Sequence, residues 1–170
     1  MKRLPDILVF LLLVVLVALG SYKIYHYIDV QLADDSHYLR LGLQLPKTFM
    51  PGYGPLYSLF FKIVHLITQD RWHTYFLAYS TLCAIPSLAT YIFLRKFGVT
   101  IAVSFIISLL FFISPINLFF DNWSKIGHYV VTIVLLGLWY YHTQRTTIRK
   151  LYVLLLTSFF IGYIRPEFHL

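Results

Sequence analysis

Charged residues are scarce in this sequence. Asp, Glu, Lys and Arg make up 12% of its 170 residues, whereas 59% of the residues are hydrophobic. A soluble domain has about 25% charged and about 45–50% apolar residues. This chain has fewer charged and more apolar residues than that, and together with the mean hydropathy of +0.72 this composition favours a membrane environment. Because the apolar residues form blocks too long for core strands, the sequence predicts an integral membrane protein.

Several familiar signals are also missing. The single cysteine, Cys83, lies inside an apolar block and excludes an internal disulfide. The histidines show no metal-ligand spacing such as His-x-x-x-His, and neither a Gly-rich phosphate loop nor a nucleophile elbow is present. The net charge of +7 comes from basic residues scattered at the ends of apolar blocks, so we expect no nucleic-acid partner. We interpret four histidines as packing or interfacial residues: His37, His65, His73 and His128.

Five apolar blocks predict an all-α membrane protein with about five transmembrane helices, forming a single transmembrane domain over residues 1–170. A shorter block, Leu56–Ile67, is below the roughly 20 residues that a span needs and carries Lys62 and His65, which favours an amphipathic helix in the interface. The predicted spans are about Ile7–Ile28, His73–Leu94, Thr100–Phe119, Ile126–Tyr141 and Leu151–Ile164.

The first block has an alternative interpretation. Ala18-Leu19-Gly20 resembles the cleavage site of a secretory signal peptide after a short apolar core. Three tyrosines, Tyr22, Tyr25 and Tyr27, continue the block as an aromatic belt, which favours an uncleaved span.

Basic clusters on alternate loops predict the orientation. With a cytoplasmic N-terminus, the inner segments contain Lys2 and Arg3, then Arg95 and Lys96, and then the cluster at residues 145–150, as the positive-inside rule requires. Residues 29–72, 120–125 and 165–170 then lie outside the cytoplasm. We expect the chain to reside in the plasma or inner membrane and to be the N-terminal part of a longer polytopic protein.

Two adjacent carboxylates in the outer loop are the first candidates for chemistry. Asp34 and Asp35 repel one another unless a cation offsets them, and such a pair can act as a general base or bind a divalent metal through oxygen. Asp is equally favoured at the N-cap and first turn of a helix, so a structural role is the alternative. No cofactor is assigned with certainty.

The turn at residues 51–55 and the run that ends the chain are the other candidates. The glycines and prolines of Pro51-Gly52-Tyr53-Gly54-Pro55 predict a tight loop before a helix, either as a simple connection or as a wall of a substrate pocket. Arg165-Pro166-Glu167 follows the last span on the side of Asp34. Its arginine can bind a phosphate through paired donors, or lie at the interface, or pair with Glu167.

Together these features resemble the start of a GT-C glycosyltransferase, of the mannosyltransferase or aminoarabinose-transferase type. The resemblance rests on Asp34-Asp35-x-x-Tyr38, then Gly42, then Tyr53-Gly54-Pro55-Leu56-Tyr57 before a short apolar helix. It implies an enzyme that moves a sugar from a polyprenyl-phosphate donor, with Asp34 or Asp35 as the catalytic carboxylate. Here the second acidic residue is Asp rather than the more frequent Glu, so both stay candidates. The expected substrate-binding residues are Tyr38, Tyr53, Tyr57, Lys125, Arg165 and Glu167.

A different class of function is the alternative. The chain would then be a non-enzymatic membrane protein, such as part of a transporter or an assembly factor, or an inactive truncated transferase. Transporters place charges or broken helices at the bilayer midplane. The predicted spans carry almost no such charge and the acids collect in one outer loop, which favours surface chemistry. The expected partners are a polyprenyl-phosphate-linked sugar and membrane lipid.

Overall fold

The computed structural model describes residues 4–27, 34–47, 54–114 and 126–164, and for residues 23–27, 34 and 35 it describes the backbone alone. These residues form seven α-helices and no strand. They are α1 (Leu4–Tyr27), α2 (Asp34–Gln44), α3 (Pro55–Thr68), α4 (Arg71–Lys96), α5 (Ile101–Phe112), α6 (Ile126–Thr143) and α7 (Thr147–Ile164).

Helix α4 is the centre of the bundle. It packs against α1, α3, α5 and α6, while α2 packs on α3 and α7 packs on α6 and α3. In the most apolar stretch of α4, 50% of the residues are buried within the protein, compared with 17% in the corresponding stretches of α1 and α7. The core is rich in aromatic rings from the central helices, including Tyr57, Phe61, Tyr79 and Tyr91.

Three helices are long and apolar enough to cross a membrane: residues Leu4–Tyr22 of α1, the whole of α4, and α7. The exposed faces of α1 and α7 consist largely of leucine and other apolar side chains. Helices α3 and α5 are apolar but shorter. The all-helical fold is therefore as the sequence predicts, and three of the five predicted spans have the length and composition of a transmembrane helix.

The end of α5 and the presence of α2 are the main differences from the prediction. Helix α5 ends at Phe112 instead of continuing to about Phe119, because Pro115 disfavours helical geometry in the residue before it. Helix α2 lies within residues 29–72, the predicted outer loop, where the sequence analysis predicts no helix before Leu56. Its composition is polar, but Leu39, Leu41 and Gly42 are buried, so packing against α3 stabilises this short helix.

Contacts between distant parts of the chain define two ends of the bundle. We call one the Arg95 end, where Asp6 of α1 pairs with Arg95 at the end of α4 and the ring of Phe97 contacts His142. We call the other the Gly54 end, where the start of α3 meets Ile164 at the end of α7.

Candidate functional site

Helices α2 and α3 run in the same direction at the Gly54 end. The ring of Tyr38 meets that of Tyr57 edge-on, with centroids 4.8 Å apart. One turn further on, Gly42 lies against the backbone of Ser58, so that an added Cβ would lie 2.3 Å from the Ser58 carbonyl oxygen. Still further, the Lys62 ammonium donates to the carbonyl of Leu45. The N-termini of α2 and α3 therefore lie at the same end of the pair.

The start of α3 also touches the end of α7. Gly54 is the N-cap residue of α3, and Pro55 follows in the first helical position. A Cβ on Gly54 would lie 1.9 Å from the Ile164 carbonyl oxygen and 2.5 Å from that of Tyr163. Only a residue without a side chain fits between these two backbones, so Gly54 sets the distance between α3 and α7.

These two contacts place the predicted catalytic residues. Asp34 and Asp35 lie in the first turn of α2, about one helical turn before Tyr38, which packs on the first turn of α3. Ile164, the residue before Arg165 in the sequence, borders the same region through Gly54. The backbone thus brings together the start of α2, the start of α3 and the end of α7.

The predicted substrate-binding residues fall into two groups. Tyr57 is fully buried among Tyr38, Phe61 and Tyr129, which is the environment of a core residue. Tyr38 is half-buried and lies between the first turn of α2 and this aromatic cluster. The other predicted residues lie outside the described part of the chain: Tyr53, Lys125, Arg165 and Glu167.

A second feature, which lies near the point where α3 leads into α4, was missed by the sequence analysis. A concave pocket of about 230 Å³ lies between α2 and the start of α4, and the guanidinium-bearing residues Arg40 and Arg71 both line it. The sequence analysis assigned binding roles to Lys125 and Arg165 but not to Arg40 or Arg71. The spacing of four residues between Ser36 and Arg40 places both on one face of α2, but it does not reveal that Arg71 lies beside them.

The start of α4 is capped by a carboxylate. The Oδ1 atom of Asp70 accepts hydrogen bonds from the backbone N–H of His73 at 2.9 Å and from its ring at 2.8 Å. The backbone hydrogen bond, followed by the bond to the ring, lowers the pKa of Asp70 below its usual 3.8. His65 bonds the Thr74 hydroxyl at 2.9 Å. His65 and His73 thus serve local packing and capping.

The Arg95 end contains a buried ion pair that the sequence analysis also missed. Asp6 is 1% exposed, and its two carboxylate oxygens accept from Nε and Nη2 of Arg95 at 2.5 and 2.8 Å. The remaining Arg95 nitrogen donates to the carbonyl of Val99. Because the partners lie 89 residues apart, no local pattern reveals the pair.

An apolar groove of about 460 Å³ lies between α1 and α4. Its walls include Val14 and Val17 on α1 and Ala84 and Leu88 on α4, and three hydroxyl-bearing residues, Ser21, Ser80 and Thr81, line it as well. Ser21 lies near the C-terminal end of α1, so the groove extends from the middle of the bundle towards the Gly54 end.

In the part of the chain that the structure describes, no three His, Cys, Asp or Glu residues cluster as a metal site would require. The described side chains do not include those of Asp34 and Asp35. Comparison of the chain with protein-family models, with curated proteins and with solved structures finds no significant match.

Proposed function

We propose that this chain is the membrane-embedded part of a GT-C-type glycosyltransferase, which moves a sugar from a polyprenyl-phosphate donor to an acceptor hydroxyl. One observation carries the proposal. The first turn of α2 with Asp34 and Asp35, the Gly54 turn and the end of α7 all meet at one end of the bundle. These are the segments that the resemblance assigns to the active site.

The surface of the protein supports a membrane location. The exposed side chains of α1 and α7 are mostly apolar over the length of each candidate span, and water would disfavour apolar patches of that extent. Charged residues in the three candidate spans lie within the terminal turns and leave the middle apolar. This distribution also favours chemistry at one surface over a transport path through the midplane.

The contacts support the proposed sidedness. Asp6 with Arg95, and Phe97 with His142, join segments that the basic clusters assign to the cytoplasmic side. Gly54 with Ile164 joins segments assigned to the opposite side. Each contact links residues on the same predicted side, so the alternating arrangement is self-consistent. In this proposal the N-terminus is cytoplasmic and the Gly54 end faces away from the cytoplasm.

The proposed reaction is a single displacement. The acceptor oxygen forms a bond to the anomeric carbon while the bond from that carbon to the phosphate oxygen breaks, and the lipid phosphate leaves with the electron pair. Asp34 or Asp35 takes the hydroxyl proton as general base. Cationic groups, with Lys125 and Arg165 as the sequence candidates, stabilise the charge on the departing phosphate. Configuration at the anomeric carbon is inverted.

The groove between α1 and α4 suits the donor's lipid tail. It is lined mainly by apolar side chains, and apolar walls with few polar groups are typical of sites for hydrophobic ligands. Its extension towards the Gly54 end would bring the phosphate of a bound polyprenyl chain to the level of the first turn of α2.

The test is transfer of a labelled sugar from a polyprenyl-phosphate donor by the full protein in membranes. Loss of a general base costs about 10²–10⁴ in rate, so we expect Asp34→Asn to lose most transfer, with Asp35→Asn as the second candidate. Asp70→Asn is the control, because Asp70 is an exposed helix cap between α3 and α4. Near-normal transfer by both Asp34→Asn and Asp35→Asn would refute the assignment.

A further inference from the structure

Two exposed arginines, Arg40 on α2 and Arg71 at the start of α4, lie near the point where α3 leads into α4. Among the described side chains, which do not include those of Asp34 and Asp35, the ion pairs are Asp70 with His73 and Asp6 with Arg95. Arg40 Nη2 lies 3.3 Å from Nδ1 of the His37 ring. Because both guanidinium-bearing side chains are exposed, an external anion can reach them.

The two arginines share one concavity. Arg40 comes from the middle of α2 and Arg71 from the first residue of α4, so helices from separate parts of the chain hold them at the same pocket. Leu39 and Leu43 form its apolar floor, and the polar side chains of Ser36 and Gln44 complete the lining. A guanidinium binds phosphate oxygens through two parallel N–H donors, and hydroxyl and amide groups add further donors.

The surroundings place this pocket at the depth of lipid headgroups. Trp72, directly after Arg71, is 54% exposed, and Leu66 and Ile67 shortly before it are exposed as well. Tryptophan is enriched where a bilayer meets water. Arg71 also begins a helix with the composition of a membrane span, so its guanidinium lies where such a span reaches the interface.

We propose that Arg40 and Arg71 form a phosphate-binding site, with Ser36 and Gln44 as additional donors, which takes a phosphate monoester or diester either on a lipid or free in solution. The site stands as a phosphate site by itself. Only the further step, that the phosphate belongs to the sugar donor, rests on the proposed function.

The test measures binding to the full protein in phosphatidylcholine nanodiscs. One arm titrates polyprenyl phosphate and the other titrates inorganic phosphate. We expect Arg40→Gln and Arg71→Gln each to weaken binding about 10- to 100-fold, because each removes charged hydrogen bonds. Arg145→Gln is the matched control, since it removes the same charge from an exposed arginine in the loop between α6 and α7, and it should bind as the parent does. Thermal unfolding of each variant reports that it is folded.

The outcomes separate the sources and the two proposals. Binding of the lipid arm alone assigns a lipid phosphate, binding of both arms assigns the phosphate group itself, and either result upholds the site. Parent-like binding by both arginine variants, equal weakening by Arg145→Gln, or no binding by the parent protein overturns it. Phosphate binding is measured without sugar transfer, so a failure of the transfer assay leaves the phosphate site standing.

Discussion

The two ends of the bundle use charge in opposite ways. At the Arg95 end, Asp6 and Arg95 lie in the interior with both carboxylate oxygens satisfied. At the opposite end of α4, Arg40 and Arg71 are exposed around a pocket, and neither pairs with a carboxylate whose side chain the structure describes. Asp6, Arg71 and Arg95 lie near the ends of helices that are otherwise apolar, whereas Arg40 lies on the polar helix α2.

This difference separates structure from function. An ion pair held between two helices in this way is largely shielded from a ligand, and losing one partner leaves an uncompensated charge. Exposed cations at a concave surface contribute little to folding and can recruit an anion. The Arg95 end therefore joins α1 to α4, whereas the proposed chemistry belongs to the Gly54 end and the proposed phosphate binding to the pocket beside the start of α4.

We expect the largest effect from a substitution that separates α3 from α7. Gly54→Ala places a methyl group 1.9 Å from the Ile164 carbonyl oxygen, so one of the two helices must move. Gly54 has φ −62, which any residue adopts, so the effect arises from contact alone. Overpacking typically costs about 1–3 kcal/mol. We expect a lower Tm in detergent and loss of most transfer activity.

Gly127→Ala is the matched control for that substitution. Gly127 lies in the first turn of α6, and no atom outside its own helix lies within 4 Å of an added Cβ. The stability should stay unchanged or rise slightly, because Ala favours helix over Gly. If Gly54→Ala behaves like Gly127→Ala, the junction of α3 with α7 does not shape the site.

At the Arg95 end, Asp6→Asn should lower stability without changing the chemistry. The substitution keeps the shape of the side chain but removes the charge that Arg95, with 15% of its side chain exposed, is paired with. We expect a clear fall in Tm and in the amount of folded protein in membranes, smaller than the effect of separating α3 from α7. Lys96→Gln, which removes an exposed neighbouring charge, should have little effect.

A separate experiment tests whether α1 is retained in the mature protein. Leu13 and Val17 of α1 are buried in the core, and Asp6 is bound to α4, so removal of α1 would expose the groove side of α4. N-terminal sequencing of the mature protein should find α1 present. A mature chain that begins after Gly20 would support the signal-peptide alternative and contradict the role given to the Asp6–Arg95 pair.

The smallest expected effect concerns the cap of α4. Hydrogen bonds from His73 lower the pKa of Asp70 in the folded protein, so the ionised form is favoured by folding. The contribution to stability is present above the unfolded pKa near 3.8 and is lost as the pH falls through the lowered value. Between pH 5 and 3, roughly the span of that titration, the Tm of the parent protein should therefore drop slightly more than the Tm of Asp70→Asn. Identical pH profiles would show that the cap contributes nothing.

The apolar pattern of the sequence predicted most helices because polar and charged residues bound each block. Helix α4 extends two residues beyond each end of the prediction, and α7 ends at the predicted Ile164. The end of α5 before Pro115 was also available from the sequence, since proline restricts the residue that precedes it. Local sequence patterns are therefore sufficient to predict the helices in the strongly apolar parts of the chain.

The remaining features depend on contacts between distant residues. Helix α2 has little apolar character of its own and is stabilised by burying Leu39 and Leu41 against α3, which no local window reveals. The Asp6–Arg95 pair and the pocket between Arg40 and Arg71 each join helices distant in sequence. The acids at 34 and 35 were found from the sequence, but the close approach of Gly54 to Ile164 required the fold.

The most direct test compares one acid from each end, with two readouts for both. Sugar transfer from a polyprenyl-phosphate donor is divided by the amount of folded protein for Asp34→Asn and for Asp6→Asn. The account predicts that Asp34→Asn keeps the folded amount and loses about 10²–10⁴ in rate, whereas Asp6→Asn loses folded protein and keeps its rate per folded molecule. Full transfer per folded molecule in both Asp34→Asn and Asp35→Asn, or its loss in Asp6→Asn, would contradict the assignment of chemistry to the Gly54 end.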